Sequence, residues 1–259
     1  MNSLSAVSQL KSQVDIWHCR TSGMVFEDEK KRYEHYLTSE EQERAGKFLF
    51  EKDRLNCLLS RVLLRLSLSW YCPNVNAKNW RIVADNNGKP YLDSAIGEHG
   101  VEFNISHSGD IVICAITRAG PVGIDIETAK IMHDLRGFSR RFLAPEEFSS
   151  VNSRFFSEQS RFFFRLWTLK EAYLKAIGSG LSIPLDNFCF DCNSLDSKQI
   201  TLLYGAGSEH CWRFWQFFYG EDAHPVALAV NAQTPIQFVW RAPELLGLPK
   251  QSTVISPCN

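Results

Sequence analysis

No stretch of this 259-residue sequence is apolar and long enough to span a bilayer. The nearest approach, L-L-S-R-V-L-L-R-L-S-L over residues 58–68, is broken by Arg61 and Arg65 and has helical spacing. The opening M-N-S-L-S-A-V-S-Q-L-K lacks a basic start followed by an apolar core, so no export signal and a cytoplasmic location are expected. An excess of charge of one sign is missing too: 28 Lys and Arg face 29 Asp and Glu, for a net charge of −1. That excludes a generalised attraction to nucleic acid or to an anionic membrane, and leaves any anionic ligand to a local basic cluster. There is no G-x-G-x-x-G, no glycine-rich loop leading into a lysine, no repeat and no low-complexity tract. A dinucleotide fold built on alternating βαβ units is therefore not expected.

Eight cysteines are scattered, and only Cys189 and Cys192 lie close in sequence. No second pair follows at zinc-ribbon spacing, and His210 with Cys211 makes a poor completion, so buried reduced thiols are expected. What is present is an ordinary globular composition, 44% apolar and 22% charged, enough for a substantial core.

Residues 14–19 alternate as a strand. Thr38-Ser-Glu-Glu41 forms a capping box that opens a helix. A second helix is expected over 52–69, with Leu55, Leu58, Leu59, Val62, Leu63 and Leu66 as its apolar stripe and Arg54, Arg61 and Arg65 opposite. Residues 80–84 read as strand and 85–90 as turn. V-E-F-N-I and I-V-I-C-A-I read as two strands joined by a turn at S-H-S-G-D. Helices follow over 133–142, 145–151 and 157–177, the last stopped by Gly178-Ser-Gly180. Strands are expected over 186–192, 199–204, 211–219 and 225–231, with an irregular tail after about 240. Helices with mostly antiparallel strands give an α+β fold, with a boundary at Gly120-Pro121: one half over 1–119, the other over 120–259.

In V-G-I-D-I-E, residues 122–127, Asp125 and Glu127 share a strand face, about 7 Å apart. They are either solvated surface acids or two oxygen ligands for a hard divalent cation. Glu171 and Lys175, at i and i+4 of W-T-L-K-E-A-Y-L-K-A, share one side of a helix, as a surface ion pair or as site residues. Lys170 points elsewhere on that helix. Ser106 and His107 are adjacent and so badly placed to share a proton; they read as two donors to an anion or as ordinary turn residues. Lys89 in G-K-P, with Arg44 and Lys47 one helical turn apart, offers local positive charge. The run W-R-F-W-Q-F-F-Y, residues 212–219, reads as a core strand rather than a base-stacking platform.

Taken together, G-K-P-Y-L, F-N-I-S-H-S-G, V-G-I-D-I-E and F-F-R-L-W-T-L-K-E-A-Y-L-K-A-I-G-S-G-L resemble the surfactin-synthetase-activating class of 4′-phosphopantetheinyl transferases over about residues 35–190. The resemblance implies a pseudo-dimer of two similar α+β halves, with the active site in the cleft between them. It implies transfer of the phosphopantetheine arm of coenzyme A to a serine of an apo carrier protein, with adenosine 3′,5′-bisphosphate leaving and Mg²⁺ required (Mn²⁺ as a substitute). The carriers implied are those of fatty-acid, polyketide or non-ribosomal peptide synthesis, or of a lysine pathway, and the enzyme is a monomer.

By the same resemblance Asp125, Glu127 and Glu171 are metal ligands, with Glu171 facing the other two across the cleft. Glu171 is also the candidate base, and Lys175 steadies the phosphates. Arg44, Lys47, Lys89, Ser106, His107 and Lys175 bind coenzyme A, with Ser106 and His107 at its 3′-phosphate. Glu41 departs from relatives that carry a lysine there. The loop and helix from Met132 to Phe142, with Phe138 and Phe142, form the expected carrier contact. The alternatives are a non-catalytic coenzyme A-binding relative and a Mg²⁺-dependent pyrophosphate hydrolase.

Overall fold

The computed structural model describes residues 10–93, 100–128, 132, 134–197, 199–205, 211–248 and 255–257. In chain order the elements are β1 (Gln13–Arg20), α1 (Phe26–Tyr33), α2 (Ser39–Gly46), α3 (Glu51–Tyr71), β2 (Ile82–Ala84), β3 (Pro90–Leu92), β4 (Glu102–Ser108), β5 (Ile111–Thr117) and β6 (Val122–Ile126). Then come α4 (Leu135–Phe142), α5 (Pro145–Asn152), α6 (Phe156–Ile177), β7 (Cys189–Phe190), β8 (Leu202–Tyr204), β9 (Trp212–Tyr219), β10 (His224–Asn231), β11 (Gln237–Arg241) and β12 (Ile255–Pro257).

Local chemistry sets several of these bounds. Thr38 accepts from the Glu41 amide and the Glu41 carboxylate accepts from the Thr38 amide, so α2 starts on a complete capping box. Pro145 occupies the first turn of α5. Gly178, at φ 76°, ends α6 in the left-handed conformation.

The described residues of Met1–Asn86, Pro90–Ala119 and Thr234–Ser252 form one compact unit, and those of Asn87–Lys89, Gly120–Gln233 and Thr253–Asn259 form another. Each is α+β, and the two follow one plan. In the first, the sheet runs β11-β1-β5-β4, with β1 antiparallel to β5 and β5 to β4, and α3 packs on it. In the second, the order is β12-β9-β10-β6, again antiparallel, with α6 lying on β6 and β10. In each unit, then, an opening strand (β1 or β6) and a long helix are followed by a hairpin whose second strand pairs with the opener. Each unit has its own core. That of the first gathers Trp17, Leu55, Leu59, Leu63, Phe103 and Cys114; that of the second gathers Phe163, Leu166, Tyr173, Phe188, Phe190 and Phe214.

Three expectations need correction. The segment after about 240 is not simply irregular. Residues 237–241 form β11, which runs parallel to β1, and Arg241 donates to Asp15, fully buried on β1. A buried carboxylate needs a paired donor, and Arg241 supplies it from 226 residues further along the chain. Residues 234–248 consequently pack with the first unit, not with the half in which they were expected. Next, S-H-S is strand: β4 runs through Ser108, and only Gly109 and Asp110 make the turn. Finally, Arg65 does not share a solvent face with Arg54 and Arg61. It is 2% exposed, pairs with Glu41 at 2.8 Å, and donates to the carbonyls of Ala77, Lys78 and Trp80.

Candidate active site

The second unit brings Asp125, Glu127, Glu171 and Lys175 into one neighbourhood, and one glycine explains how. β6 is an edge strand, and Gly123, Asp125 and Glu127 alternate onto the same side of the chain. A Cβ on Gly123 would stand 2.0 Å from the Ala172 carbonyl oxygen and 2.5 Å from the Ala176 nitrogen. Helix α6 therefore lies against the strand backbone at a distance only glycine permits. Glu171, beside Ala172, and Lys175, beside Ala176, are thereby brought to the level of Asp125. Glu171 thus belongs to the same unit as Asp125 and Glu127, and this corrects the expectation that it faces them across a cleft.

Asp125 is 4% exposed, and its Oδ1 accepts from the Lys175 ammonium at 2.6 Å. Lys175 Nζ also lies 3.5 Å from the Ile124 carbonyl. Glu171 is half-buried. Burial first, and then the charge of Asp125, push its carboxyl above the usual range; Lys175 opposes this and Glu127 adds to it. Among the described residues no three His, Cys, Asp or Glu side chains converge tightly enough to be a ready ligand set, and Lys175 takes the place beside Asp125.

Lys89 belongs to this unit as well. It was expected at the nucleotide end of coenzyme A, and here its ammonium donates to the Ala176 carbonyl at 2.8 Å while Asn87 donates to that of Gly178. Both satisfy carbonyls in the last turn of α6, where positive charge is favoured.

Lys170, next to Glu171, is directed into the core and is fully buried. Its three protons go to the Leu185 carbonyl at 2.7 Å, the Phe188 carbonyl at 2.6 Å and Glu147 at 2.7 Å. Glu147 in turn accepts from the amides of Ala144 and Phe190. Burial pushes Lys170 down and Glu147 up, and each charge opposes the other's shift. This network ties α5 and the 185–190 segment to α6, which fixes the helix that carries Glu171.

The first unit holds the remaining candidates. Ser106 and His107 were expected to present two donors together. On β4 they alternate, with Ser106 6% exposed and His107 exposed, so the strand does not aim them the same way. Arg44 is exposed on α2, and Lys47, just beyond it, pairs with Glu43 at 2.8 Å on the surface. Arg44 also lines a cavity of about 600 Å³ together with Glu41, Arg61, Arg65 and Lys78. Arg61 and Arg65 were not singled out from the sequence as site residues, because a helix carrying arginine opposite an apolar stripe looks like any solvated face. Burial lowers Arg61 below the usual arginine value; Glu41 opposes this, and the like charges of Arg44 and Arg65 add to it.

Cys189 is buried in β7 and Cys192 sits in the turn after it, and among the described residues they belong to no cluster of three or more His, Cys, Asp or Glu side chains that could hold a metal ion; His210 lies outside those residues. The aromatic run is β9, an inner strand with Phe214, Phe217 and Tyr219 buried, as a core strand requires.

Residues 121–229 match the family model described as the 4′-phosphopantetheinyl transferase superfamily, and residues 26–118 match that of the 4′-phosphopantetheinyl transferase N-terminal region. The chain belongs to this family. It is an enzyme that transfers 4′-phosphopantetheine to carrier proteins. It is 34% identical over 162 residues to the 4′-phosphopantetheinyl transferase Sfp of Bacillus subtilis (strain 168), covering 62% of this chain and 69% of that one. To the 4′-phosphopantetheinyl transferase HetI of Nostoc sp. it is 36% identical, over 56% of this chain and 61% of that one. To the L-aminoadipate-semialdehyde dehydrogenase-phosphopantetheinyl transferase of Mus musculus it is 32% identical, over 75% and 67%.

For a phosphopantetheinyl transferase, the acid set fits a hard divalent cation. Its donors are all carboxylate oxygens, one is almost fully buried, and burial together with the charges of Asp125 and Glu127 pushes the carboxyl of Glu171 up.

Proposed function

We propose that this phosphopantetheinyl transferase takes coenzyme A as donor and holds Mg²⁺, or Mn²⁺ in its place, with Asp125, Glu127 and Glu171. The observation that carries the reading is the close approach of α6 to β6 at Gly123, which puts Glu171 and Lys175 beside Asp125. When bound there, the cation would supply charge neutralisation at the donor's phosphates.

The chain's own residues supply the rest. Glu171, with its raised affinity for a proton, accepts the proton of the carrier serine, directly or through one water. The serine oxygen bonds to the phosphorus on the pantetheine side, the bridging P–O bond breaks, and adenosine 3′,5′-bisphosphate leaves with that electron pair. Lys175, long enough to exchange Asp125 for a phosphate oxygen, steadies the leaving charge. Arg44, Lys47, Ser106 and His107 contact the donor's nucleotide end, with Lys89 adding to that grip or, as its bond to Ala176 suggests, bracing α6.

The carrier docks on α4. Phe138 is 46% exposed there, with Arg136, Arg140 and Arg141 exposed around it and Phe142 packed edge-on against Trp167 behind it. An apolar anchor within a basic rim suits an acidic partner. The acceptor belongs to fatty-acid, polyketide, peptide-synthetase or lysine-pathway chemistry. The enzyme works as a monomer in the cytoplasm, where the buried free thiols Cys19, Cys114 and Cys189 suit a reducing medium.

The test is intact-mass analysis of several apo carrier proteins after incubation with enzyme, coenzyme A and Mg²⁺. At least one carrier gains the phosphopantetheine increment, and Glu171→Gln lowers the rate by about 10²-fold or more, the scale of a lost general base, while coenzyme A still binds. An unmodified carrier alongside release of adenosine 3′,5′-bisphosphate and free 4′-phosphopantetheine would instead mark a pyrophosphate hydrolase.

A further inference from the structure

Lys175 sits in the last turn of α6, which ends at Ile177, while Glu171 lies a full turn deeper. The last carbonyls of a helix have no partner within it, so a final turn frays unless donors from elsewhere hold it. Lys175 cannot serve there, because its ammonium is turned back to Asp125 at 2.6 Å. The loop between β2 and β3 supplies what is missing. Lys89 Nζ donates to the Ala176 carbonyl and Asn87 Nδ2 to that of Gly178, each at 2.8 Å, and a cation at a helix C-terminus is favoured. The loop also lies close on the chain that leaves the helix: a Cβ on Gly180, at φ 56°, would stand 3.3 Å from the Asn87 carbonyl oxygen. Ala176 is thus held twice, with β6 pressed near its nitrogen at Gly123 and Lys89 on its oxygen. Asn87 is exposed and Lys89 half-buried, so this clasp is not part of the core.

We propose that Lys89, with Asn87, is a positioning residue: it pins the last turn of α6 and so sets the reach of Lys175, and its ammonium serves the Ala176 carbonyl rather than the donor. The inference rests on Lys175 steadying the leaving charge, and it takes the Lys89 side chain out of the grip on the nucleotide. Lys175 is next to the clasped residue and moves when the clasp is lost. Glu171, inside the hydrogen-bonded ladder of the helix, keeps its place. Loss of the clasp therefore slows the step that Lys175 assists and leaves donor binding alone.

Transfer kinetics, calorimetric titration with coenzyme A and amide hydrogen exchange on the intact chain test this together. Lys89→Met lowers kcat by about tenfold, the scale of one lost hydrogen bond, with coenzyme A affinity unchanged. Exchange quickens over residues 174–178 and not over 160–170. Lys89→Gln keeps a donor without the charge and recovers part of kcat. Asn87→Ala, which removes no charge, lowers kcat in the same direction and carries the test if Lys89→Met does not fold. Weaker coenzyme A binding in Lys89→Met that Lys89→Gln fails to restore overturns the proposal, because it marks a charge contact to the donor. A lowered melting temperature with normal turnover per folded molecule in Lys89→Met and Asn87→Ala overturns it as well, since the clasp would then only stabilise the fold. If the wild type transfers to no carrier, the transferase mechanism is what fails, and exchange and coenzyme A affinity still decide the clasp.

Discussion

Neighbours in sequence do different work in this chain. Glu171 and Lys170 are adjacent, yet one stands with Asp125 at the acid cluster and the other is fully enclosed with three acceptors around its ammonium. Taking one member from a buried ion pair strands the other charge, at a cost of about 3–5 kcal/mol. Lys170→Met should therefore lower the unfolding free energy by about that much, and Glu147→Gln should also destabilise strongly. The double variant should cost less than the sum of the two, because the second change removes a charge already left unpaired. Urea unfolding of the four proteins checks this. Had Lys170 served the phosphates instead, Lys170→Met would leave the urea midpoint in place and slow transfer. From the sequence, the helical position of Lys170 sets it apart from Lys175, but nothing local tells that its partner is Glu147, 23 positions upstream. Arg65 has the same history: it reads as a polar-face arginine, and only the fold supplies Glu41 and three carbonyls to bury it.

At the scale of elements, local chemistry was readable and close approaches were not. The capping box at Thr38, the proline opening α5 and the glycine closing α6 are each determined within a few residues, and each sits where expected. Gly123 reads as an ordinary gap in an apolar strand, and its meaning comes from a helix some fifty positions downstream. Gly123→Ala would force its methyl against the Ala172 carbonyl, and overpacking of that kind costs about 1–3 kcal/mol. Because α6 must lift from β6 to relieve the clash, the variant should lose transfer out of proportion to its loss of melting temperature. A variant with lowered melting temperature and normal turnover per folded molecule would show that the close contact does not set the acid geometry. The S-H-S segment failed to read as strand for a related reason: serine and glycine favour turns locally, and pairing with β5 overrides that preference through Ser108.

Over the whole molecule, two units repeat a plan of strand, helices and hairpin, each around its own core. The α+β class and the two-half organisation followed from the order of patterns along the chain. The membership of residues 234–248 did not, since it depends on Arg241 finding Asp15 and on β11 pairing with β1. Chemistry is divided as well: the carboxylates and Lys175 belong to the second unit, the arginine-lined cavity to the first. The central claim concerns the second unit, that Asp125, Glu127 and Glu171 together hold one divalent cation. Electron paramagnetic resonance titration of Mn²⁺ in the presence of coenzyme A tests it most directly. One Mn²⁺ should bind per wild-type chain, and Glu171→Gln should weaken that binding by about tenfold or more, as the loss of one of few carboxylate ligands requires; Mn²⁺ binding equal in the wild type and Glu171→Gln would contradict the account.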